Sequence, residues 1–346
     1  MLVMMQRNAT PQEIQAVCDA IQVLGFNPLP MPGALRTAIG VAGDDGQVDT
    51  SHFEGMAGVA SVLYDSKPYK QVSRDWQPEK SLVSIGHGVV FGGTEVPIVA
   101  GPCSVEGEDE IVHIAKLVKA AGAVALRGGA YKPRTSPYAF QGLGEEGLRQ
   151  LALARSETGL PIITEAMDER QADLVAKYAD CIQVGARNMM NFSLLKHIGK
   201  LGVPVLLKRG MSATITEWLL AAEYIMSEGN RKVILCERGI RSYDSATRNV
   251  YDLAAIPVVQ KLSHLPIIGD PSHGVGIRDA VPPLARATVA VGADGVIVEV
   301  HQQPDKAWSD GAQSLHPAQF EEMVRSLIPI AEAVSRSIMG AGTAVV

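Results

Sequence analysis

From about residue 95 onward, short apolar runs alternate with amphipathic stretches, and this alternation restricts the possible folds more than any other feature of the chain. The runs are PIVAGPCSV, AVALRGGAY, PIITEAM, CIQVGARN, PVLLKRG, KVILCERGI, PIIGDPSHG and GVIVEVH, eight in all. Between them lie segments such as EDEIVHIAKLVKAAG, TITEWLLAAEYIMSEG and IRDAVPPLARATVAVGA, whose apolar residues recur every three or four positions. Strands that are apolar on both faces, joined by crossover helices, predict a parallel sheet covered on both sides. Eight such units predict a closed (β/α)8 TIM barrel rather than an open doubly wound sheet.

A barrel places its chemistry where strands end and βα-loops begin. Each run carries a polar residue near that end: Cys103, Arg127, Glu165, Arg187, Lys208, Arg238, His273 and Glu299. Any one of them could simply mark where the chain regains water. That reading does not explain four long cations, two carboxylates, a histidine and a cysteine on one rim.

Ahead of the barrel, SLVSIGHGVVFGGTEVP reads as a small hairpin turning at HG and closing the N-terminal end of the barrel. Residues 1–70 read as a separate α+β unit. MLVMM is a predicted strand, TPQEIQAVCDAIQVLGF a helix ended by Gly25, TAIGVAG a strand, FEGMAGV a short helix and ASVLYDS a last strand. This string resembles a βαββαβ ferredoxin-like module. Residues 71–80, within SKPYKQVSRDWQPEK, then form a linker, and 81–346 hold the hairpin and the barrel. A chain of 346 residues exceeds one typical domain, in keeping with this division.

The net charge of -6, with 20% charged residues, excludes a general nucleic-acid or anionic-membrane footprint. No basic, apolar leader and no membrane-length apolar run is present, so a cytoplasmic protein is expected. Cys18, Cys103, Cys181 and Cys236 lie far apart without a CxxC pair, so each is read as a buried small hydrophobe unless its surroundings say otherwise.

Against that acidic background, RGGAYKPRTSPYAF gathers Arg127, Lys132 and Arg134 with no acid among them. With Arg187, Lys208 and Arg238, and with Arg209 and Arg241 nearby, these cations are expected to converge over the barrel mouth with few acidic neighbours. Like charges in a partly dry site repel by several kcal/mol. A substrate with more than one phosphate or carboxylate accounts for them, because arginine offers a bidentate fork and lysine a compact charge. Cys103, His273, Glu299 and Asp310, the last in WSDG after the eighth run, form a mixed soft and hard ligand set. Barrel closure makes the first and eighth strands neighbours. The set suits a divalent metal ion such as Mn²⁺, Fe²⁺, Zn²⁺ or Co²⁺ with one position open.

The motifs GPCSVEG, LRGGAYKPRTSPYAFQGLG, QVGARNMMN, LLKRGM, CERGIR, DPSHG and VEVH, in this order, resemble the barrel of the 3-deoxy-D-arabino-heptulosonate 7-phosphate (DAHP) synthases, type I beta group, over roughly residues 80–335. The resemblance implies a metal-dependent condensation of phosphoenolpyruvate with erythrose 4-phosphate, the entry to the shikimate pathway. It implies that Arg127, Lys132, Ala186, Arg187, Lys208 and Arg238 hold phosphoenolpyruvate. Arg134 and Thr135 would hold the erythrose phosphate, and Cys103, His273, Glu299 and Asp310 the metal. Glu165 and Lys208 are the candidates for positioning water and moving its proton, so the residues proposed for catalysis are Lys208, Glu165, Cys103 and His273.

Three alternatives stay in view. The related octulosonate 8-phosphate synthases take a sugar one carbon longer, but typically read KANRSS where this chain reads KPRTSP. A non-catalytic phosphosugar-binding barrel would not need four metal ligands. A Schiff-base aldolase would use Lys208 as nucleophile. By resemblance, the N-terminal module either senses tyrosine or phenylalanine for feedback or only supports assembly, as a homodimer or homotetramer. Too few residues lie outside the barrel for a fused chorismate mutase.

Overall fold

The computed structural model describes residues 1–33, 36–43, 48–63, 67–133 and 136–340. Two compact units divide the chain, Met1–Glu79 and Lys80–Val346. In the first, β1 (Leu2–Met5), α1 (Pro11–Val23), β2 (Asn27–Pro32), β3 (Thr37–Ala42), α2 (Ser51–Glu54) and β4 (Val59–Leu63) build an antiparallel sheet of order β2-β3-β1-β4. Val3 and Met5 of β1 share a buried cluster with Val17, Cys18 and Ile21 of α1 and Phe53 of α2. The start of α1 is fixed by a reciprocal cap: the Glu13 N–H donates to Thr10 Oγ1 at 3.3 Å and the Thr10 N–H to Glu13 Oε2 at 2.7 Å.

Two details of this unit differ from the sequence pattern. The prolines of NPLPMP argue against a strand, yet β2 is one. It lies at the sheet edge, where alternate residues direct their N–H groups outward, so prolines at alternate positions cost no ladder bond. The second helix is a single turn, Ser51–Glu54, instead of spanning FEGMAGV. Gly58 has φ +79° and lies where a Cβ would come within 2.9 Å of the Glu13 Cβ, so this segment is the turn that returns the chain to β4. The end of the expected last strand, residues 64–66, lies outside the described residues.

The second unit begins with a hairpin, β5 (Val83–Ser84) and β6 (Val90–Phe91), turning through left-handed Gly86, His87 and Gly88. After β7 (Glu95–Val96) come eight parallel strands, each followed by a helix: β8 (Ile98–Gly101) and α3 (Glu108–Ala120), β9 (Ala125–Arg127) and α4 (Glu145–Thr158), β10 (Ile162–Glu165) and α5 (Glu169–Tyr178), β11 (Cys181–Val184) and α6 (Phe192–Leu201). β12 (Val205–Lys208) leads to α7 (Ile215–Ser227), and β13 (Val233–Glu237) to α8 (Ala255–Leu262). β14 (Ile267–Gly269) leads to the short α9 (Pro271–Val275) and then α10 (Val281–Ala290), and β15 (Val296–Glu299) to α11 (Pro317–Ala333). Pairing of Val296 with Ile98 through Glu299 with Gly101 closes the barrel, as the eightfold alternation predicts. A last strand, β16 (Ser337–Ile338), pairs with β7.

Inside the barrel, Val99, Ile163, Leu206, Ile234, Ile268 and Ile297 pack with Cys181 and Cys236, and Val83, Ile85, Val89 and Phe91 of the hairpin segment close the floor. Burying each large aliphatic side chain contributes about 1.5–3 kcal/mol. Cys181 and Cys236 serve as small hydrophobes, with burial pushing both thiols up.

Candidate active site

At the opposite end of the barrel the strands finish in polar residues. Arg127, Glu165 and Lys208 end β9, β10 and β12, and Glu299 ends β15. Cys103 and Arg238 stand one or two residues past β8 and β13, and Ala186 and Arg187 lie in a 3-10 turn after β11. His273 sits in α9, after β14. All of them except Cys103 and Glu299 line a cavity that opens to solvent. Among the described residues its lining includes six cations (Arg127, Lys132, Arg187, Lys208, Arg238 and Arg248) and two carboxylates, Glu165 and Asp310.

The expectation of few acidic neighbours is corrected just beneath this surface. Lys208 Nζ donates to Asp270 Oδ2 at 2.5 Å and Arg127 Nη1 to Glu299 Oε1 at 2.5 Å. Arg209 turns away from the cavity, donating to Glu237 and Asp252 at 2.9 and 2.8 Å, and Arg241 is solvent-exposed. The acids are buried at or just past strand ends, where pairing offsets desolvation of both partners. Asp270 is held well below the usual carboxylate range; burial opposes this, and His273 and Lys208 outweigh it.

Arg238 is the exception. It is buried at 4% exposure, and among the described residues its side chain makes only a long hydrogen bond to the Gly239 carbonyl and its Nε has no partner. Burial pulls its guanidinium below the usual arginine value. Arg187, on the lining of the same cavity, likewise has no carboxylate partner among the described residues. A buried cation without an anion is costly, and an anionic ligand would remove that cost.

The proposed ligand set is spatially coherent. Donor atoms of Cys103, Glu299 and Asp310 all lie within 4.8 Å of one another, with the Cys103 thiol 3.3 Å from Asp310 Oδ2. His273 Nε2 is 3.4 Å from Glu299 Oε1, while its Nδ1 donates to Asp270 at 2.7 Å. Burial holds His273 below its ordinary value despite Asp270 and Glu299, so the neutral ring keeps a lone pair on Nε2. A histidine whose second nitrogen is bound by a carboxylate is the usual support for a metal-ligating ring. Burial, then the charge of Glu299, pushes the Cys103 thiol up to about 12. Glu299 itself is held below the carboxylate range, burial being outweighed by His273 and Arg127. Lys132 Nζ lies 2.9 Å from the Cys103 sulfur and 2.8 Å from its carbonyl. A thiol and two carboxylates in one cluster, with a carboxylate-supported histidine against Glu299, fit a divalent first-row cation. Asp310 adopts left-handed backbone angles, φ 50° and ψ 31°, an uncommon conformation that aims its carboxylate at this cluster.

Glu165 is buried at 8% exposure; Gln183 donates to its Oε2 at 3.0 Å, and Oε1 has no partner among the described residues. Arg134 and Thr135 lie outside the described residues. Sequence reading missed Gln183, Asp270, Gln313 and Arg248. Asp270 had a local signal, since DPSH places an N-cap three residues before His273. Arg248 had none: its loop lacks periodicity, and only folding brings Nη1 to Gln313 Oε1 at 2.8 Å and Asp310 Oδ1 at 3.4 Å.

Comparison with known proteins places the whole chain in a family. The profile of the DAHP synthetase I family matches residues 78–336, and that of the DAHP synthase ferredoxin-like domain matches residues 1–64. The chain is 48% identical to a phospho-2-dehydro-3-deoxyheptonate aldolase of Thermotoga maritima over 96% of this chain and 98% of that one. A crystal structure of the Thermotoga maritima DAHP synthase aligns with a TM-score of 0.78 at 47% identity, covering 97% of this chain and 98% of the other. A 2-dehydro-3-deoxyphosphooctonate aldolase of Syntrophotalea carbinolica is 34% identical over 70% of this chain and 93% of that protein. With matched barrel, matched N-terminal domain and near-complete mutual coverage, the chain belongs to the DAHP synthetase I family and is an enzyme of that family.

Proposed function

We propose that the cavity condenses phosphoenolpyruvate with erythrose 4-phosphate to give DAHP and inorganic phosphate, at the entry to the shikimate pathway. The observation that carries this reading is Arg238, buried without a carboxylate beside a cavity lined by five further cations. Arg238, Arg187, Lys208, Arg127 and Lys132 hold the phosphate and carboxylate of phosphoenolpyruvate, with the Ala186 backbone at the same turn. Arg134 and Thr135 hold the second phosphate. Placing two mutually repelling anions side by side turns a poor encounter into a positioned one.

Cys103, His273, Glu299 and Asp310 hold a divalent cation, Mn²⁺, Fe²⁺, Co²⁺ or Zn²⁺, which supplies Lewis-acid polarisation of the aldehyde when bound. Carbon 3 of phosphoenolpyruvate bonds to the aldehyde carbon, and the carbonyl oxygen takes up a proton. Water adds to carbon 2, and phosphate leaves by cleavage of its bond to that carbon, so one water is consumed per phosphate released. Glu165, oriented by Gln183, offers its Oε1 to that water, and Lys208, on the lining of the same cavity, is the partner for proton transfer.

Residues 1–70 are proposed as a regulatory domain for tyrosine or phenylalanine, 71–80 as linker and 81–346 as the catalytic part, in a cytoplasmic homodimer or homotetramer. Among the described residues no helix is long and apolar enough to cross a membrane. The test is phosphate release from the two substrates, abolished by EDTA and restored by Mn²⁺. Arabinose 5-phosphate outperforming erythrose 4-phosphate would overturn the substrate assignment, and activity that survives full chelation would overturn the metal assignment.

A further inference from the structure

A buried carboxylate outside the proposed ligand set touches both halves of this site. Asp270 is 1% exposed and stands between the end of β14 and α9. Its Oδ2 accepts from His273 Nδ1 at 2.7 Å and from Lys208 Nζ at 2.5 Å, and its Oδ1 accepts the His273 backbone N–H at 3.0 Å. His273, a proposed ligand, meets the Cys103, Glu299 and Asp310 cluster at Glu299, whereas Lys208 lines the anion cavity. One oxygen atom is thus shared by a donor from each half.

We propose that Asp270 is a positioning residue that couples the two halves, so that an anion held by Lys208 tightens cation binding at His273 and the reverse; this rests on the functional reading above. The physical reason is competition for Oδ2. When an anion in the cavity accepts from the Lys208 ammonium, less of its charge is directed at Asp270, and the bond from His273 Nδ1 strengthens. A stronger acceptor behind the ring makes Nε2 a better electron-pair donor, as for metal-bound histidines generally. By linkage, the factor by which the anion improves cation affinity must equal the factor by which the cation improves anion affinity. The backbone bond from His273 to Oδ1 keeps Asp270 from following Lys208, so the exchange takes place at Oδ2 instead of moving the carboxylate.

The experiment is calorimetric titration of the full-length chain with Mn²⁺, with and without saturating phosphoenolpyruvate. The wild-type protein is expected to bind Mn²⁺ about tenfold more tightly with phosphoenolpyruvate present. In Asp270→Asn, Mn²⁺ affinity alone falls roughly 10–100-fold, and the ratio with and without phosphoenolpyruvate falls to about twofold or less, the remainder being direct attraction between the two ligands. Asp270→Glu keeps the charge that Lys208 needs for folding but displaces it by one methylene, so it cannot serve both donors in the same geometry. It too must lower the ratio, and it keeps the test decisive if Asp270→Asn does not fold. A wild-type ratio of one, or a variant that retains the wild-type ratio, overturns the coupling. Failure of the wild-type protein to bind either ligand overturns instead the functional reading beneath it.

Discussion

The two ends of the barrel are made from the same eight strands and obey opposite rules. At the floor, Ile234, Ile268, Ile297 and the Phe91 ring fill space with no polar atom in the side chain. At the mouth, a few residues further along the same strands, Glu237, Asp270 and Glu299 are buried at 1% or less and must be paired to be tolerated. The floor gains free energy by excluding water from apolar surface, and the mouth spends part of that gain on charges held ready for a ligand. Separating the two ends lets the site carry an unpaired Arg238 without unfolding the domain.

The largest expected effect that would break this contrast is at the floor. Phe91→Ala leaves a void where the hairpin seals the barrel and should cost about 3–5 kcal/mol. The urea midpoint falls accordingly, while kcat/KM measured well below the transition stays near wild type. A loss of activity equal to that of a mouth variant would show that the two ends are not separable.

At the mouth the pattern should invert. Arg238→Met keeps the aliphatic stem and removes the unpaired charge; kcat/KM should fall on the order of 10²–10³-fold, as when one preorganised donor is removed. Thermal stability should be unchanged or higher, because a buried uncompensated cation is gone. A fall in stability comparable to that of Phe91→Ala would mean that Arg238 is structural.

The smallest effect is a pH dependence confined to the mouth. The folded-state value of His273 lies below its unfolded value, so the unfolded chain binds more protons as pH falls. The stability associated with the neutral ring is complete above the unfolded value near 6.5 and is lost as pH drops below it. Glu299 and Asp270, also depressed, add losses at more acid pH, as they are protonated. Urea midpoints of the metal-free protein should therefore decline between pH 7 and pH 5, and the decline should be shallower in His273→Asn. An equal slope in that variant would assign the effect elsewhere.

Much of the barrel was legible because its signal repeats eight times, so an error in one strand is corrected by the other seven. The strand-end residues were legible for the same reason: once strands are placed, their C-terminal ends are known, whereas Asp310 comes from the loop after the eighth strand and meets Cys103 across 207 positions. The proline-rich β2 was not legible, because whether prolines are allowed depends on being at an edge, and edges exist only in an assembled sheet. Arg209 was grouped with the cavity cations by its place beside Lys208, yet successive strand residues point to opposite faces, and it pairs with Glu237 and Asp252.

The sequence by itself determined the parallel barrel, the separate N-terminal unit and which residue types stand on the rim, since these follow from periodicity and order along the chain. Only the tertiary structure decided which cation is neutralised and which is left for a ligand. Lys208 found Asp270, Arg127 found Glu299, and Arg238 found no acid among the described residues. Charge pairing acts over a few ångströms between residues far apart in the chain, so it is fixed by how strands are placed around the barrel and not by spacing along them.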